Sequence, residues 1–308
     1  MPDSPRPIEI ISGTTAALLG LPRCHGLLPH FVTNGQIAPN TEWSSLDTVI
    51  ALLALIEARQ AVGLETGSVE QLLAGIDWAD LRLPDGQIGH GYNTSCTQRL
   101  ESGWYDFGTE TWLANLGYAA ATGNLAAMDD TPPTYNGSGF IDELAWLLVP
   151  VPSRDRWGIE WPAYREQAAS TQLAYYQGHP CYGPKGLFGL SAAEVPDPSG
   201  VLSPSIYQAF GVGGVISPND GTSLLGHAVI VPHYSPLAAP LRPGQAITLW
   251  RWLEQDGLVT PLNNAESLMM VDEPACTRVV WNSLKGSWNL ALQTLGWGRV
   301  LAGDDHPL

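Results

Sequence analysis

Apolar residues recur at helical spacing through much of this 308-residue chain, while strand-like alternation is rare. The clearest stripe is Leu46, Val49, Ile50, Leu53 and Ala54, which runs out near Gly63, a residue able to close a helix in the left-handed conformation. Ser44 stands three residues before Asp47, the arrangement of a capping box at the start of that helix. The same spacing predicts helices over 109–122, closed by Gly123, and over 141–149, 164–176, 245–255 and 288–300. Fainter periodicity marks 11–20, 68–75 and 224–231. Two intervals stand apart. The stretch 83–107 carries Gly86, Gly89, Gly91 and Gly103, and 178–222 carries Gly183, Pro184, Gly186, Gly189, Pro196, Pro198 and Pro204. Both read as long loops, and long ordered loops commonly carry function.

No composition break and no repeat of fixed period divides the chain. The expectation is one all-α domain over 1–308, an α/α arrangement with long Gly/Pro-rich loops. Periodicity alone leaves an α/α barrel and an irregular bundle both open. Hydrophobic residues make up 44% and charged residues 14%, enough apolar surface for a substantial core.

The formal net charge is −16, which repels phosphate backbones and anionic headgroups. Nucleic acid and membrane surfaces are poor partners for such a chain, whereas a neutral oligo- or polysaccharide suits it. No apolar run reaches transmembrane length, so no membrane insertion is expected. Residues 1–7 lack the basic start and apolar centre of a signal peptide, so the chain as written reads as cytoplasmic. Cys24, Cys96, Cys181 and Cys276 are far apart with no CxxC spacing, and the seven His show no HxxxH spacing. Neither a metal site nor a cofactor is expected, and the cysteines fit two disulfides or four buried thiols alike. GxSxG and GxxxxGK[ST] are both absent, which argues against a serine hydrolase elbow and a phosphate loop.

The acids cluster at predicted helix starts. Glu42 and Asp47 flank Trp43, and Asp106 and Glu110 stand ahead of and within the start of the helix over 109–122. Such positions offer free N–H groups and a favourable dipole. Glycoside cleavage needs a carboxyl pair, one to protonate the leaving oxygen and one to activate water or attack the sugar. Trp43, Trp104, Tyr105 and Trp112 lie near these acids in sequence and could stack on sugar rings. The plainer reading is that Asp47 caps its helix, Glu110 answers a helix dipole, and Trp112 and Trp250 are core. The segment 181–194 has too many glycines for a helix; it could present Tyr182, Lys185, Phe188 and Glu194 to a cavity or form a rigid turn. Asp220 reads as a turn residue before a helix, and Asp129-Asp130 as loop acids.

These pieces together resemble a known family. Gly26-Leu27-Leu28-Pro29-His30-Phe31, Thr41-Glu42-Trp43-Ser44-Ser45-Leu46-Asp47-Thr48, Ile76-Asp77-Trp78, Gly108-Thr109-Glu110-Thr111-Trp112-Leu113, the run from Gly186 to Glu194 and Asp220-Gly221-Thr222 are similar, in order, to the bacterial glycoamylase-like family. That family includes the endo-β-1,2-glucanases. The resemblance implies an (α/α)6 barrel with its active site at one end and hydrolysis of a glucan or related polysaccharide without metal or organic cofactor. It also implies a mostly extracytoplasmic setting. It implies Glu110 as general acid and Asp47 as base or water-positioning acid, with the roles reversible. Glu42, Asp106, Glu194 and Asp220 become further cleft candidates. Asp47 stands where the family often has Glu, one methylene longer. Two other readings accompany the hydrolase. One is a transglycosylase or polysaccharide lyase on the same barrel, with Tyr182 and Lys185 as the lyase grouping. The other is a non-catalytic glycan-binding or assembly protein.

Overall fold

A computed structural model describes residues 7–33, 35–104, 109–127, 137–148, 151–155, 158–194, 207–212, 227–260, 263–282, 293–294, 296–298 and 301. The chain divides into two compact units, Met1–Thr131 and Pro132–Leu308.

The first unit holds α1 (Pro7–Leu19), α2 (Ser45–Ala61), α3 (Gly67–Ala74), α4 (Trp78–Leu81) and α5 (Thr109–Thr122). Helix α2 begins and ends as its sequence requires. The Asp47 N–H donates to Ser44 Oγ at 3.2 Å, filling one of the orphan donors of the first turn. The expected capping box is only half formed. The Asp47 carboxylate accepts the Ser44 hydroxyl proton instead of reaching back to the Ser44 N–H. At the other end Leu64 N–H donates to Arg59 O (2.8 Å) and Gly63 N–H to Gln60 O (3.0 Å), with Gly63 at φ +71°. This is a Schellman closure, and it needs the positive φ that glycine adopts without penalty.

The buried face of α2 is Leu46, Val49, Leu52 and Leu55, so the stripe is shifted from the expected one: Ile50, Leu53 and Ala54 are only partly buried. Burying each such side chain contributes about 1.5–3 kcal/mol. Helix α2 packs against α1, α3 and α5. A Cβ on Gly117 of α5 would lie 2.7 Å from both Val49 methyls, so this glycine lets the two helices approach. Between α4 and α5 the expected loop is built from two-residue strands. Ile88–Gly89 pairs with Gly103–Trp104, and Gly91–Tyr92 pairs with Trp43–Ser44, both antiparallel. Cys24–Cys96 ties the turn before α2 to the tip of this loop, closing 72 residues. A closure of that length stabilises by roughly 4 kcal/mol on chain-entropy grounds.

The second unit holds α6 (Gly139–Leu148), α7 (Trp161–Gly178), α8 (Tyr234–Ala238) and α9 (Pro243–Gln255). Helix α6 packs on α7 and α8, and α8 on α9. The all-α expectation needs correction here. A three-stranded antiparallel sheet runs Val279–Asn282, Ser267–Met270, Val229–Ile230, and the central strand is buried throughout. The helix expected over 224–231 is, where described, the strand Val229–Ile230. The β-branched Val229, Ile230 and Val231 suit a fully buried strand, and a short apolar run cannot be told from a helix by period alone. Of the helix expected over 288–300, residues 293–294 and 296–298 are helical; the others lie outside the described residues.

Buried polar side chains bind this unit together. The Tyr182 hydroxyl donates to Ala228 O (2.7 Å) and accepts from the Met270 N–H (3.1 Å). The Tyr176 hydroxyl donates to Val229 O. Gln172 bonds both the N–H and the C=O of Leu190, at 2.9 and 3.0 Å. Cys181–Cys276 closes 95 residues. Both units are therefore mostly helical, with small sheets at the helix ends, and none of the described helices is long and apolar enough to cross a membrane.

Gly91 gives the sharpest test of the first unit. It sits at φ +138°, and a Cβ there would lie 1.8 Å from Trp43 O, a backbone atom that cannot step aside. Gly91→Ala is expected to cost about 3 kcal/mol or more, measured as a fall in the urea midpoint with unchanged slope.

Candidate functional site

In the first unit, three predicted acids lie at or beside helix starts, and one unpredicted side chain joins two of them. Pro29 bridges to Trp43, and the His30 N–H donates to Glu42 O at 2.9 Å, which sets His30 and Glu42 side by side. His30 Nδ1 hydrogen-bonds Glu42 Oε1, and His30 Nε2 lies 3.4 Å from Asp47 Oδ2. The result is a row running Glu42, His30, Asp47, Ser44, with both carboxylates partly open to solvent. Burial raises the Glu42 pKa, but the hydrogen bond and charge of His30 outweigh it and hold the carboxyl below its usual range. An imidazole between two carboxylates can pass a proton from one to the other and fix their orientation.

The aromatics divide. The His30 ring stacks on Phe31 (3.9 Å between centroids), and Phe31 is 56% exposed, so an open apolar face adjoins the carboxylates. Trp104 is half-buried. Its indole N–H donates to Ser45 Oγ (3.0 Å) and its ring leans on His90 at 4.2 Å. It therefore sits at the first turn of α2, two residues from Asp47. Trp43, expected as a sugar platform, packs in the core with its N–H on Thr94 O. Trp112 is buried as well, in keeping with the core reading. Glu110 lies partly exposed in the first turn of α5, the helix packed on α2. Five residues on, Asn115 is fully buried, and neither amide atom has a hydrogen-bond partner. Such a group costs about 1–3 kcal/mol. Tyr105, Asp106, Asp129, Asp130 and Asp220 lie outside the described residues.

In the second unit the predicted residues separate further. Lys185 is exposed in a single 3-10 turn, Gly183–Lys185. Tyr182 and Phe188 are fully buried, which corrects their expected place in a cleft. The Tyr182 hydroxyl donates to one backbone carbonyl and accepts from one backbone N–H, and burial pushes its pKa well up. It is thus unavailable as a lyase base. Phe188 packs edge-on to Tyr234 at 5.9 Å. Glu194 ends the short strand Ala192–Glu194. Burial raises its pKa, and its Oε2 has no hydrogen-bond partner. Burial of this kind favours the neutral form of a carboxyl over the charged one.

The same unit holds a carboxylate pair that the sequence reading passed over. Asp142, in the first turn of α6, and Glu143, the next residue, are 0% and 1% exposed. Asp142 accepts from the Gly137 N–H (3.0 Å) and the Tyr164 hydroxyl (2.6 Å). Glu143 pairs with Arg165 at 2.7 Å, and the guanidinium lies over the Trp146 ring at 4.4 Å. Beside them, the buried Tyr234 hydroxyl has no hydrogen-bond partner, and burial together with the charges of Glu143 and Asp142 pushes its pKa up. Burial also pushes the adjacent His233 down to about 3, so its imidazole is neutral. Adjacent acids in an apolar helical run look like one charged and one surface position. Their joint burial depends on Tyr164 and Arg165, which arrive from another helix.

Glu42 and Glu194 give opposite pH signatures. Glu42 has a lowered folded pKa, so its contribution is complete above the ordinary carboxylate range and is lost as pH falls through the folded value. His30→Ala is expected to blunt that acid-side loss in thermal unfolding across a pH series. The effect is small because the pair is partly solvated. Glu194 has a raised folded pKa, so the wild type loses stability as pH rises from the unfolded toward the folded value. Glu194→Gln is expected to remove that loss, and the variant's Tm advantage widens from acid toward neutral pH.

The chain is similar over nearly its whole length to solved structures of candidate glucoamylases and endo-β-1,2-glucanases. The endo-β-1,2-glucanase of Chitinophaga pinensis, solved with sophorotriose and glucose, matches with a TM-score of 0.64 at 13% identity. The match covers 96% of this chain and 75% of that one. The β-1,2-glucanase of Parabacteroides distasonis matches at 0.64 and 14% identity, covering 97% and 49%. A candidate glucoamylase of Bacteroides fragilis matches at 0.65 and 14%, covering 95% and 74%. No protein-family model and no curated protein matches the sequence. At these identities the likeness is one of fold.

Proposed function

We propose that this chain is a glycoside hydrolase acting on a neutral glucan, with β-1,2-linked glucan the first substrate to test. The observation that carries the reading is the fold likeness to β-1,2-glucanases, one of them solved with sophorotriose. The reading takes the chain as one (α/α)6-barrel domain over 1–308. Glu110 is the general acid and Asp47 the base that activates or positions water. His30 extends this assignment: bonded to Glu42 and 3.4 Å from Asp47, it holds the Asp47 carboxylate and can relay its proton. Phe31 and Trp104 supply apolar faces for sugar rings. Two disulfides suit an oxidising compartment, so the enzyme works outside the cytosol.

A second assignment of the acid rests on a specific observation. Asp142 and Glu143 are adjacent, fully buried carboxylates with an arginine and two tyrosine hydroxyls around them. Buried carboxylates paired with an arginine and tyrosine hydroxyls occur at functional sites, and structural ion pairs produce them too. Glu194, whose pKa burial raises, is a further candidate acid in that unit.

The test is hydrolysis of β-1,2-glucan followed by product analysis. Glu110→Gln and Asp47→Asn are expected to lower kcat by about 10²- to 10⁴-fold with an unchanged circular dichroism spectrum. Full activity in Glu110→Gln removes it as the acid. A folded, inactive Glu143→Gln in the same series moves the acid to α6. Binding of the glucan without any turnover would instead identify a non-catalytic glycan-binding protein.

A further inference from the structure

The two disulfides have the same neighbours. In the first unit a nitrogen of His25 and the sulfurs of Cys24 and Cys96 all lie within 4.8 Å of one another. His25 Nδ1 is 3.4 Å from Asp77 Oδ2. In the second unit Cys181 is bonded to Cys276, and the Cys181 sulfur, a nitrogen of His179 and a carboxylate oxygen of Glu273 lie within the same reach. His179 Nε2 is 3.6 Å from Glu273 Oε1.

The likeness extends to the backbone. In each pair one cysteine is buried, Cys24 and Cys181, and has its histidine one or two residues away. In each pair the other cysteine has a positive φ, +58° at Cys96 and +56° at Cys276. Each of these sits in a tight turn closed by its own N–H, to Asn93 O at 2.9 Å and to Asp272 O at 3.3 Å. Non-glycine residues in the left-handed region are uncommon and collect at ligand clamps. A disulfide needs neither an imidazole nor a carboxylate beside it. Two thiolates and an imidazole are donors that zinc takes, and a carboxylate completes the set at the second pair or fixes the imidazole at the first.

We propose that each disulfide is the oxidised form of a zinc site. In the reduced chain Cys24, Cys96 and His25 hold one zinc ion, with Asp77 on the imidazole as the outer carboxylate that fixes its tautomer. Cys181, Cys276, His179 and Glu273 hold a second. A dithiol reductant delivers two electrons and two protons to each S–S bond and itself closes to a disulfide. Zinc then displaces the two thiol protons, which pass to water. The sulfurs must part to roughly 3.8 Å, the edge of a tetrahedron with Zn–S bonds near 2.3 Å. Cα separations of 5.7 and 5.2 Å permit this by side-chain rotation. Zinc closes the same loops of 72 and 95 residues as the disulfides, so each unit is held before oxidation as well as after it.

The experiment uses the full chain, reduced with a phosphine that is then removed, and titrated with zinc. Native mass spectrometry counts bound ions. Cobalt substitution reads thiolate ligation from its charge-transfer band and tetrahedral geometry from its visible bands. The expected result is two ions in the reduced chain and none in the oxidised chain. His25→Ala and His179→Ala should each retain one ion, and the double variant none. Both single variants keep their disulfides when oxidised, which provides a folded control. If reduction unfolds the chain, zinc should restore the far-ultraviolet circular dichroism. Three results would each overturn the proposal: no uptake by the reduced chain, uptake unchanged in the histidine variants, or uptake by a chain that stays unfolded.

Discussion

The close backbone contact between Gly91 and Trp43 organises the first unit. It seats the short strand Gly91–Tyr92 against Trp43–Ser44, and Ser44 is the cap of α2. Ser45, the next residue, donates its hydroxyl to Gly89 O (2.7 Å) and accepts the Trp104 indole N–H. The start of α2 is thereby held by its own cap, a strand and an aromatic ring at once. Asp47 stands in that fixed turn, which gives its carboxylate a defined position relative to His30 and Glu42. The role proposed for Asp47 depends on such support, since a displacement of about 1 Å can cost 10²-fold in rate.

The second unit uses a different device. Its helices and its sheet are joined by buried hydroxyl and amide groups from Tyr176, Tyr182 and Gln172 that satisfy backbone atoms of the strands and loops. The residues that looked most suited to lining a cleft, Tyr182 and Phe188, are occupied in this way or packed on Tyr234. Among the described residues the Tyr234 hydroxyl is left without a hydrogen-bond partner, and it feels the charges of the buried Asp142 and Glu143. Exposed polar groups of a binding surface and buried polar groups of a core have the same composition, and only their neighbours tell them apart.

Long periodic segments were legible because their apolar spacing reports burial directly. Helices α2, α5, α6, α7 and α9 fall where their stripes lie, and the end of α2 falls on Gly63. The sheet was not legible. Val229–Ile230 reads as a short apolar run, and its pairing partners stand about forty residues and more away along the chain. Among the site candidates, Asp47, Glu110 and Glu42 were visible as acids at helix starts. His30 was not, because its meaning comes from a bridge between Pro29 and Trp43 that no local pattern encodes. The cysteines show the same limit. Their spacing excluded a contiguous metal motif, yet folding joins Cys24 to Cys96 and Cys181 to Cys276 and sets Asp77 on His25 and Glu273 on His179.

By itself the sequence determined the main helices, the capped start and glycine-closed end of α2, and a strongly negative net charge. It did so because these depend on residues within a few positions of one another or on summed charge. Tertiary structure alone decided which tyrosines and tryptophans are core, which acids share a histidine, which are buried in pairs, and which cysteines meet. Those outcomes depend on contacts between segments tens of residues apart, where burial and a single hydrogen-bond partner change what a side chain can do.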